Sequence, residues 1–349
     1  MIDSDAKLAG LLPQLKAATW IALDTEADSL HAYPEKLCLI QISIAASDDL
    51  IDPLAPIQLG PLFDILSQHE ILMHGADYDL RLFRKHHNFV PTAIFDTMLA
   101  ARLLGLREFG LSNLVEKLLG AKLEKGPQKA NWARRPLTPR MAEYAVKDTL
   151  YLKPLVDLLT ADLKAKGRLD WHQQSCARLI ADSAGAREVD HDTVWRVKGS
   201  FGLPPQGLAV VRALFYWREQ EAVASNRPPF FIVSPDIICN VAEAAISGRD
   251  VESALPRFLT PRRRKGALQA AHEGLASKNL PGPLKRKGDR LSETAKKRLN
   301  ALEQRRNTRA HELGIDPTLI ASRSTLIELS KDWEQLSPDL MPWQREILE

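Results

Sequence analysis

Near residue 170 the hydrophobic pattern of this chain changes character, and that change bounds the fold more tightly than any other feature. Before it, short apolar runs alternate with helical periods. ATWIALDTE (18–26) reads as a buried strand turning polar at its end, KLCLIQISIA (36–45) as a second strand and LIDPL (50–54) as a short third. The connections between them are short enough for antiparallel pairing. IQLGPLFDILSQH then reads as helix, ILMHG as strand, and DYDLRLFRKHH as helix with Leu80 and Phe83 on one face. FDTMLAARLLG and LSNLVEKLLG read as helices, the latter with Ser112 at its N-cap. The pattern predicts an α/β domain built on a mixed sheet. AKLEKGPQKANWARRPLTPR (121–140) has no period and carries five cations from Lys122 to Arg135, and loops this long in compact domains are often functional. Thr138 and Pro139 open a further helix as N-cap and first residue, and Pro154 kinks or restarts it after YAVKDTLYL.

Beyond residue 170 only helical periods remain. LAVVRALFYWREQEAVASN is a long helix broken at RPPFFIVSPD, followed by IICNVAEAAIS and LPRFLTPRRRKGALQAAHEGLA. A Pro/Gly/Lys linker begins near 279, then SETAKKRLNALEQRRNTRAHELG, a break at IDP and TLIASRSTLIELSKD. Both segments run as a long basic helix, a break with Pro and a short apolar helix, which suggests a diverged internal duplication.

Charge adds a direction. The net value is +3, yet residues 256–310 hold 16 Lys or Arg against four acids (Glu273, Asp289, Glu293 and Glu303), a surplus of 12. The blocks are RRRK (262–265), KRK (285–287) and KKR (296–298). Such runs serve either as a solvated helical face or as a surface for phosphate backbones. Cys38, Cys176 and Cys239 are isolated and odd in number, against a disulfide framework or structural zinc. No basic-then-apolar leader and no membrane-length apolar run is visible, so a cytoplasmic location is expected.

The chemistry lies in four carboxylates and one tyrosine beside apolar runs. Asp24 and Glu26 are two apart on a strand and face one way. Tyr144 and Asp148 are four apart on a helix and share a face. Asp79 falls in the first turn of a helix just after a strand, where the helix dipole favours an anion. Asp77 and Asp96 are better placed as helix caps, and His74, His86 and His87 as structural or solvated groups. If the strand ends and the Tyr144 helix converge, unpaired carboxylates repel one another. A cluster of carboxylates without His or Cys suits hard divalent cations, Mg²⁺ or Mn²⁺. Two such ions about 3.5–4 Å apart, with Asp24, Glu26, Asp79 and Asp148 as ligands, are the usual means of cutting a phosphodiester by in-line attack of water. Tyr144 then orients the water or helps deprotonate it.

These residues resemble the DEDDy family of 3′→5′ exonucleases. LDTEAD is similar to the first motif, HGADYDLRLF to the second with Asp79 as its metal-binding acid, and YAVKD to the third. The histidine branch would carry His where this chain has Glu143, so the tyrosine branch is the better match. LCLIQIS, DTMLAARLLG and NWARRPLT also resemble that family, and the chain as a whole is similar to the ribonuclease D family. The resemblance implies a ribonuclease H-like exonuclease domain at 1–170, a connecting segment at 171–205, a first HRDC module at 206–282 and an HRDC-like module at 283–349, both all-α. It also implies hydrolysis of RNA from a single-stranded 3′ end to nucleoside 5′-monophosphates, with precursor tRNA as substrate and a monomeric enzyme. A 3′→5′ DNA exonuclease and an inactive nucleic-acid-binding adaptor are the alternatives, and the absence of a GxxxxGK[ST] loop fits a stand-alone nuclease better than a helicase.

Overall fold

The computed structural model describes residues 1–124, 126–185, 190–282 and 291–349. The chain falls into two compact units. One comprises Met1–Ala27, Leu37–Ala186 and Arg290–Glu349, and the other Asp28–Lys36 and Arg187–Asp289.

The first unit opens with α1 (Asp5–Ala17), β1 (Ile21–Ala27), β2 (Leu37–Ile44) and β3 (Ser47–Ile51). It continues with α2 (Gly60–Leu66), β4 (Glu70–Met73), α3 (Asp77–His87), β5 (Ala93–Asp96) and α4 (Thr97–Leu103). Then come α5 (Leu111–Leu114), which runs on as a π turn to Leu119, α6 (Pro139–Leu150), α7 (Leu152–Ala165) and α8 (Leu169–Ala184). The strand order is β3-β2-β1-β4-β5, antiparallel across β3, β2 and β1 and parallel across β1, β4 and β5. This is the mixed sheet expected from the pattern.

Helices cover both faces. Ile21 and Leu23 of β1, with Ile40, Ile42 and Ile44 of β2, pack with Leu8, Leu11, Leu62, Leu80 and Phe83 of α1, α2 and α3. On the other face Ala22, Leu72 and Phe95 pack with Leu152, Leu155 and Leu159 of α7, while Leu39 packs with Met141 and Ala145 of α6. β2 is buried along its whole length, which is why its sequence is apolar on both faces, with Gln41 and Ser43 as its buried polar members.

Several local readings change. β3 begins at Ser47, earlier than the LIDPL stretch, because the β2–β3 turn lies directly after Ile44. AIFD is a strand, and only Thr97 onward is helix. α1 is an additional helix. Ser112 lies inside α5, where Gly110 takes the N-cap position without a side-chain bond. Thr138 does cap α6, its hydroxyl accepting from Met141 N at 3.2 Å. Pro154 stands in the first turn of α7, where its missing N–H costs nothing.

The boundary drawn at 170 also moves. α8 packs in the first unit, with Cys176 in the core beneath α3 and Phe95 against His172 at 4.1 Å. The last helices join the same unit. They are α12 (Glu293–Leu313), α13 (Pro317–Ile320), α14 (Arg323–Lys331), α15 (Trp333–Leu336) and α16 (Pro342–Leu348), which follow the three helices of the second unit in the chain. Their Leu299, Leu302, Ala310, Ile320, Leu326 and Trp343 share one apolar core with Ala101, Leu103 and Leu155. Trp171 and Trp343 stack at 4.8 Å. Gly105, at φ +86°, must be glycine here, since a Cβ would lie 2.1 Å from the Gly314 carbonyl oxygen. These residues are therefore part of the first unit's core.

The second unit holds α9 (Pro205–Ser225), α10 (Pro235–Ile246) and α11 (Pro261–Ala276) around Leu208, Val211, Leu214, Ile238, Ala242 and Ala267. Its plan repeats in α12–α16. α9 and α12 each span 21 residues and end in a left-handed cap, Asn226 and Gly314. A proline-led turn follows, then a helix capped by a serine hydroxyl, Ser234 or Ser322, then a helix opening on proline. The shared order of caps and breaks supports the duplication.

Candidate active site

Asp24 and Glu26 stand at the C-terminal end of β1 on the face covered by α6. Their neighbours place them there: Ala22 packs on the α7 side, and Leu39, opposite Glu26 in β2, packs under Met141 and Ala145. α6 brings Tyr144 and Asp148 over the same strand end. Its register is fixed by Ser43 and Thr149, whose hydroxyls meet at 2.7 Å.

Asp79 reaches the site from the other side of the sheet. α3 packs with Leu80, Leu82 and Phe83 on the Ile21/Leu23 face, and the buried Asp79 carboxylate accepts a hydrogen bond from the Thr25 hydroxyl. Thr25 is the residue between Asp24 and Glu26, so β1 offers its two acids on one face and an anchor for the third acid on the other.

The four acids act on one another electrostatically. Burial, then the Asp148 carboxylate, pushes Asp24 up to about 8. Burial pushes Glu26 up to about 10, with Asp24, Asp148 and Asp79 all adding repulsion. Asp148 rises to about 7 through burial, with Tyr144 opposing. Burial and Asp24 lift Asp79 well above the carboxylate range. Tyr144 is held above the ordinary phenol value by burial first and Asp148 second, so it stays a protonated donor.

Asp24, Tyr144 and Asp148 line a cavity of about 850 Å³, whereas Glu26 and Asp79 do not form its wall. Among the described residues no three His, Cys, Asp or Glu side chains are drawn into a ready coordination cluster. The five residues are thus brought into one electrostatic neighbourhood but not into a closed ligand cage. The donor set itself, carboxylates with mutually raised pKa values at a cavity edge, fits a hard divalent cation. Asp24, Glu26, Asp79 and Asp148 are the residues suited to hold one.

The cavity wall adds groups that spacing alone did not single out: His74, Gln128, Lys129, Arg140 and Lys147. His74 Nδ1 meets the Thr97 hydroxyl at 2.8 Å. Gly126 lies so close to the Tyr144 ring that a Cβ would fall 1.6 Å from Cδ2. The aperiodic loop therefore closes over the tyrosine. Its anchor is Arg135, which donates to Asp52 Oδ1 at 2.6 Å and Oδ2 at 2.5 Å, to the Cys38 carbonyl at 2.6 Å and to the Trp132 carbonyl at 2.7 Å.

The two aspartates read as caps divide. Asp96 takes that part in full, accepting from Gly75 N, Ala76 N, Met98 N and Leu99 N. Asp77 does not cap α3; it pairs with Arg81 one turn on, because Asp96 already holds the turn entering the helix.

The basic segment is partly engaged within the fold. Arg262 and Arg263 both pair with Glu221, and Arg264 donates to the Pro256 carbonyl at 2.9 Å. Arg305 and Arg306 donate to the Leu348 and Ala321 carbonyls. Arg257, Lys265 and Lys278 remain exposed, and the KRK block at 285–287 lies outside the described residues.

A mixed sheet with acids at the end of its central strand, a helical Tyr-x-x-x-Asp above them and a cavity beside them defines a 3′→5′ exonuclease domain. A family profile described as 3′-5′ exonuclease matches residues 1–164. A ribonuclease D from Zymomonas mobilis is 36% identical over 69% of this chain and 63% of its own length. One from Xanthomonas oryzae is 31% identical over 94% of this chain and 91% of its own. The crystal structure of Escherichia coli RNase D matches 100% of this chain and 97% of its own, with a TM-score of 0.76 and 25% identity. A crystal structure of a protein from Bifidobacterium adolescentis shares the fold over 100% of this chain and 94% of its own, with a TM-score of 0.85 at 24% identity. The chain belongs to the ribonuclease D family of 3′→5′ exoribonucleases.

Proposed function

We propose that this protein removes nucleotides one at a time from single-stranded RNA 3′ ends, releasing nucleoside 5′-monophosphates, with precursor tRNA among its substrates. The observation that carries the reading is Glu26, whose pKa is raised by burial first and then by Asp24, Asp148 and Asp79 together: four carboxylates share one neighbourhood under a tyrosine. Family membership supports RNA as substrate, and the Escherichia coli relative is described as an exoribonuclease involved in structured RNA processing.

Asp24, Glu26, Asp79 and Asp148 are the proposed ligands of Mg²⁺ or Mn²⁺, two ions in the full site. Such cations, when bound, lower the pKa of a water and neutralise charge on the leaving oxygen. Tyr144, a hydrogen-bond donor beside Asp148, orients that water or assists its deprotonation. Thr25 keeps Asp79 turned toward β1. Lys147, half-buried and paired with Glu143 at 2.7 Å, puts positive charge on the cavity wall where a phosphate would enter.

The helical regions are proposed as HRDC-type modules, with α9–α11 the first and α12–α16 the second. Exposed Arg257, Lys265 and Lys278 would give backbone contacts without sequence preference. A triple Glu variant at these positions should raise KM for RNA, flatten its salt dependence and leave kcat unchanged. A monomer acting in the cytoplasm completes the reading; among the described residues no helix is long and apolar enough to cross a membrane. A time course on 3′-extended tRNA and matched DNA, with Mg²⁺, Mn²⁺ or EDTA, tests polarity, sugar preference and metal need together. Faster loss of DNA than RNA would favour a DNA exonuclease instead.

A further inference from the structure

Gln41 is completely buried in the middle of β2, and among the described residues neither its Oε1 nor its Nε2 has a hydrogen-bond partner. A buried carboxamide without partners lowers stability, so its presence calls for a cause. Its place supplies one. In the antiparallel β1–β2 pair, Gln41 stands directly opposite Asp24. Cross-strand partners project to the same face with Cβ atoms about 4.5–5.5 Å apart, within reach of a glutamine side chain.

The helix above narrows the surroundings. Two residues earlier, Leu39 packs with Met141 and Ala145 of α6. Two residues later, Ser43 bonds Thr149 at 2.7 Å. Gln41 therefore lies beneath the Ala145–Thr149 turn, the turn that carries Asp148. Its side chain therefore starts from the face shared by Asp24 on the neighbouring strand and the α6 turn that carries Asp148.

We propose that Gln41 is a positioning residue for the Asp24–Asp148 carboxylate pair: its amide, unpartnered among the described residues, is kept free to donate from Nε2 to one carboxylate oxygen when those acids take up their working positions, so that the other oxygens face the cavity. The proposal rests on the nuclease reading of this site. An amide suits the task because it donates without adding charge to an already repelling group, and its burial keeps water from competing. Gln41 does not touch the reacting atoms; it acts through the acids that do.

The test is Gln41→Met, which keeps the side-chain length and removes both polar atoms. If Gln41 only fills the core, losing an unpartnered amide leaves kcat unchanged and raises the melting temperature. If it positions the acids, kcat falls about tenfold or more with KM little changed, while the melting temperature holds or rises. Mn²⁺ binding by calorimetry on the same protein should weaken severalfold. Wild-type kcat and wild-type Mn²⁺ affinity in Gln41→Met overturn the proposal. Should that variant fail to fold, Gln41→Asn, one methylene too short, is assayed in the same way with the same two outcomes. A wild-type protein inactive on RNA overturns the nuclease reading instead, and the calorimetric comparison still decides the positioning role.

Discussion

Thr25 donates its hydroxyl to the Asp79 carboxylate. The contact joins the two faces of β1. Asp24 and Glu26 look toward α6, while Thr25, between them, looks toward α3 and holds the third acid. A single tripeptide thus organises three of the four carboxylates.

Replacing Thr25 by Val keeps the shape and removes the donor. A buried carboxylate then loses a charge-assisted hydrogen bond, worth about 1.5–3 kcal/mol. kcat should fall roughly ten- to a hundredfold in steady-state RNA hydrolysis, with Thr25→Ser close to wild type. Equal activity in Thr25→Val would show that Asp79 needs no anchor.

Gly126 makes a second test. An Ala there places a Cβ 1.6 Å from Tyr144 Cδ2, against a ring that is half-buried and backed by Trp132 at 6.2 Å. The ring or the loop must move. Turnover should drop about tenfold or more, as when a positioned group is displaced by about 1 Å, with little change in melting temperature. Tyr144→Phe should lower turnover similarly while Mn²⁺ binding persists.

The pH dependence of the cation-free protein follows from the raised carboxylates. Folding lifts Asp148 to about 7, Asp24 to about 8 and Glu26 to about 10. Above about pH 4 the unfolded chain has released these protons while the folded chain keeps them. The folded state then binds more protons, so stability falls as pH rises from about 4 through 7 and 8 toward 10. In EDTA, the melting temperature should decline over that window. Asp148→Asn should flatten the part near neutrality, and Mn²⁺ should restore stability at the alkaline end.

Much of the site was legible because its acids obey simple periods. Asp24 and Glu26 share a face by strand alternation, and Tyr144 and Asp148 by the helical turn. Thr25 was not legible as the anchor of Asp79, since that requires knowing that α3 packs on the opposite face from α6. Nor was Gln41. Within LCLIQIS it reads as filler in a buried strand, and only the register with β1 sets it beside Asp24. β5 escaped because its four residues run straight into the period of α4, with Asp96 ending one element and capping the next. The RRRK block read as free surface charge, yet its main partner, Glu221, lies some forty positions earlier on α9.

The loop over Tyr144 was aperiodic, so its order had no local sign. Arg135 provides it, with a guanidinium shared among Asp52, Cys38 and Trp132. Removing one partner of such a half-buried pair costs about 3–5 kcal/mol. Arg135→Met should lower the melting temperature by about 6–20 °C at 2–4 °C per kcal/mol. It should also reduce turnover, because Gly126 and Tyr144 lose their register. Differential scanning calorimetry beside a kinetic assay separates the two effects.

The central claim is tested most directly by products. An RNA with a 5′ label and a single-stranded 3′ extension is incubated with the protein and Mn²⁺, with EDTA, and with Asp24→Asn or Asp148→Asn in place of wild type. Stepwise shortening from the 3′ end and release of nucleoside 5′-monophosphates are predicted, abolished by EDTA and by either substitution, with RNA binding largely kept in both variants. Internal cleavage, cleavage that persists in EDTA, or full activity in Asp148→Asn would contradict the four-carboxylate site.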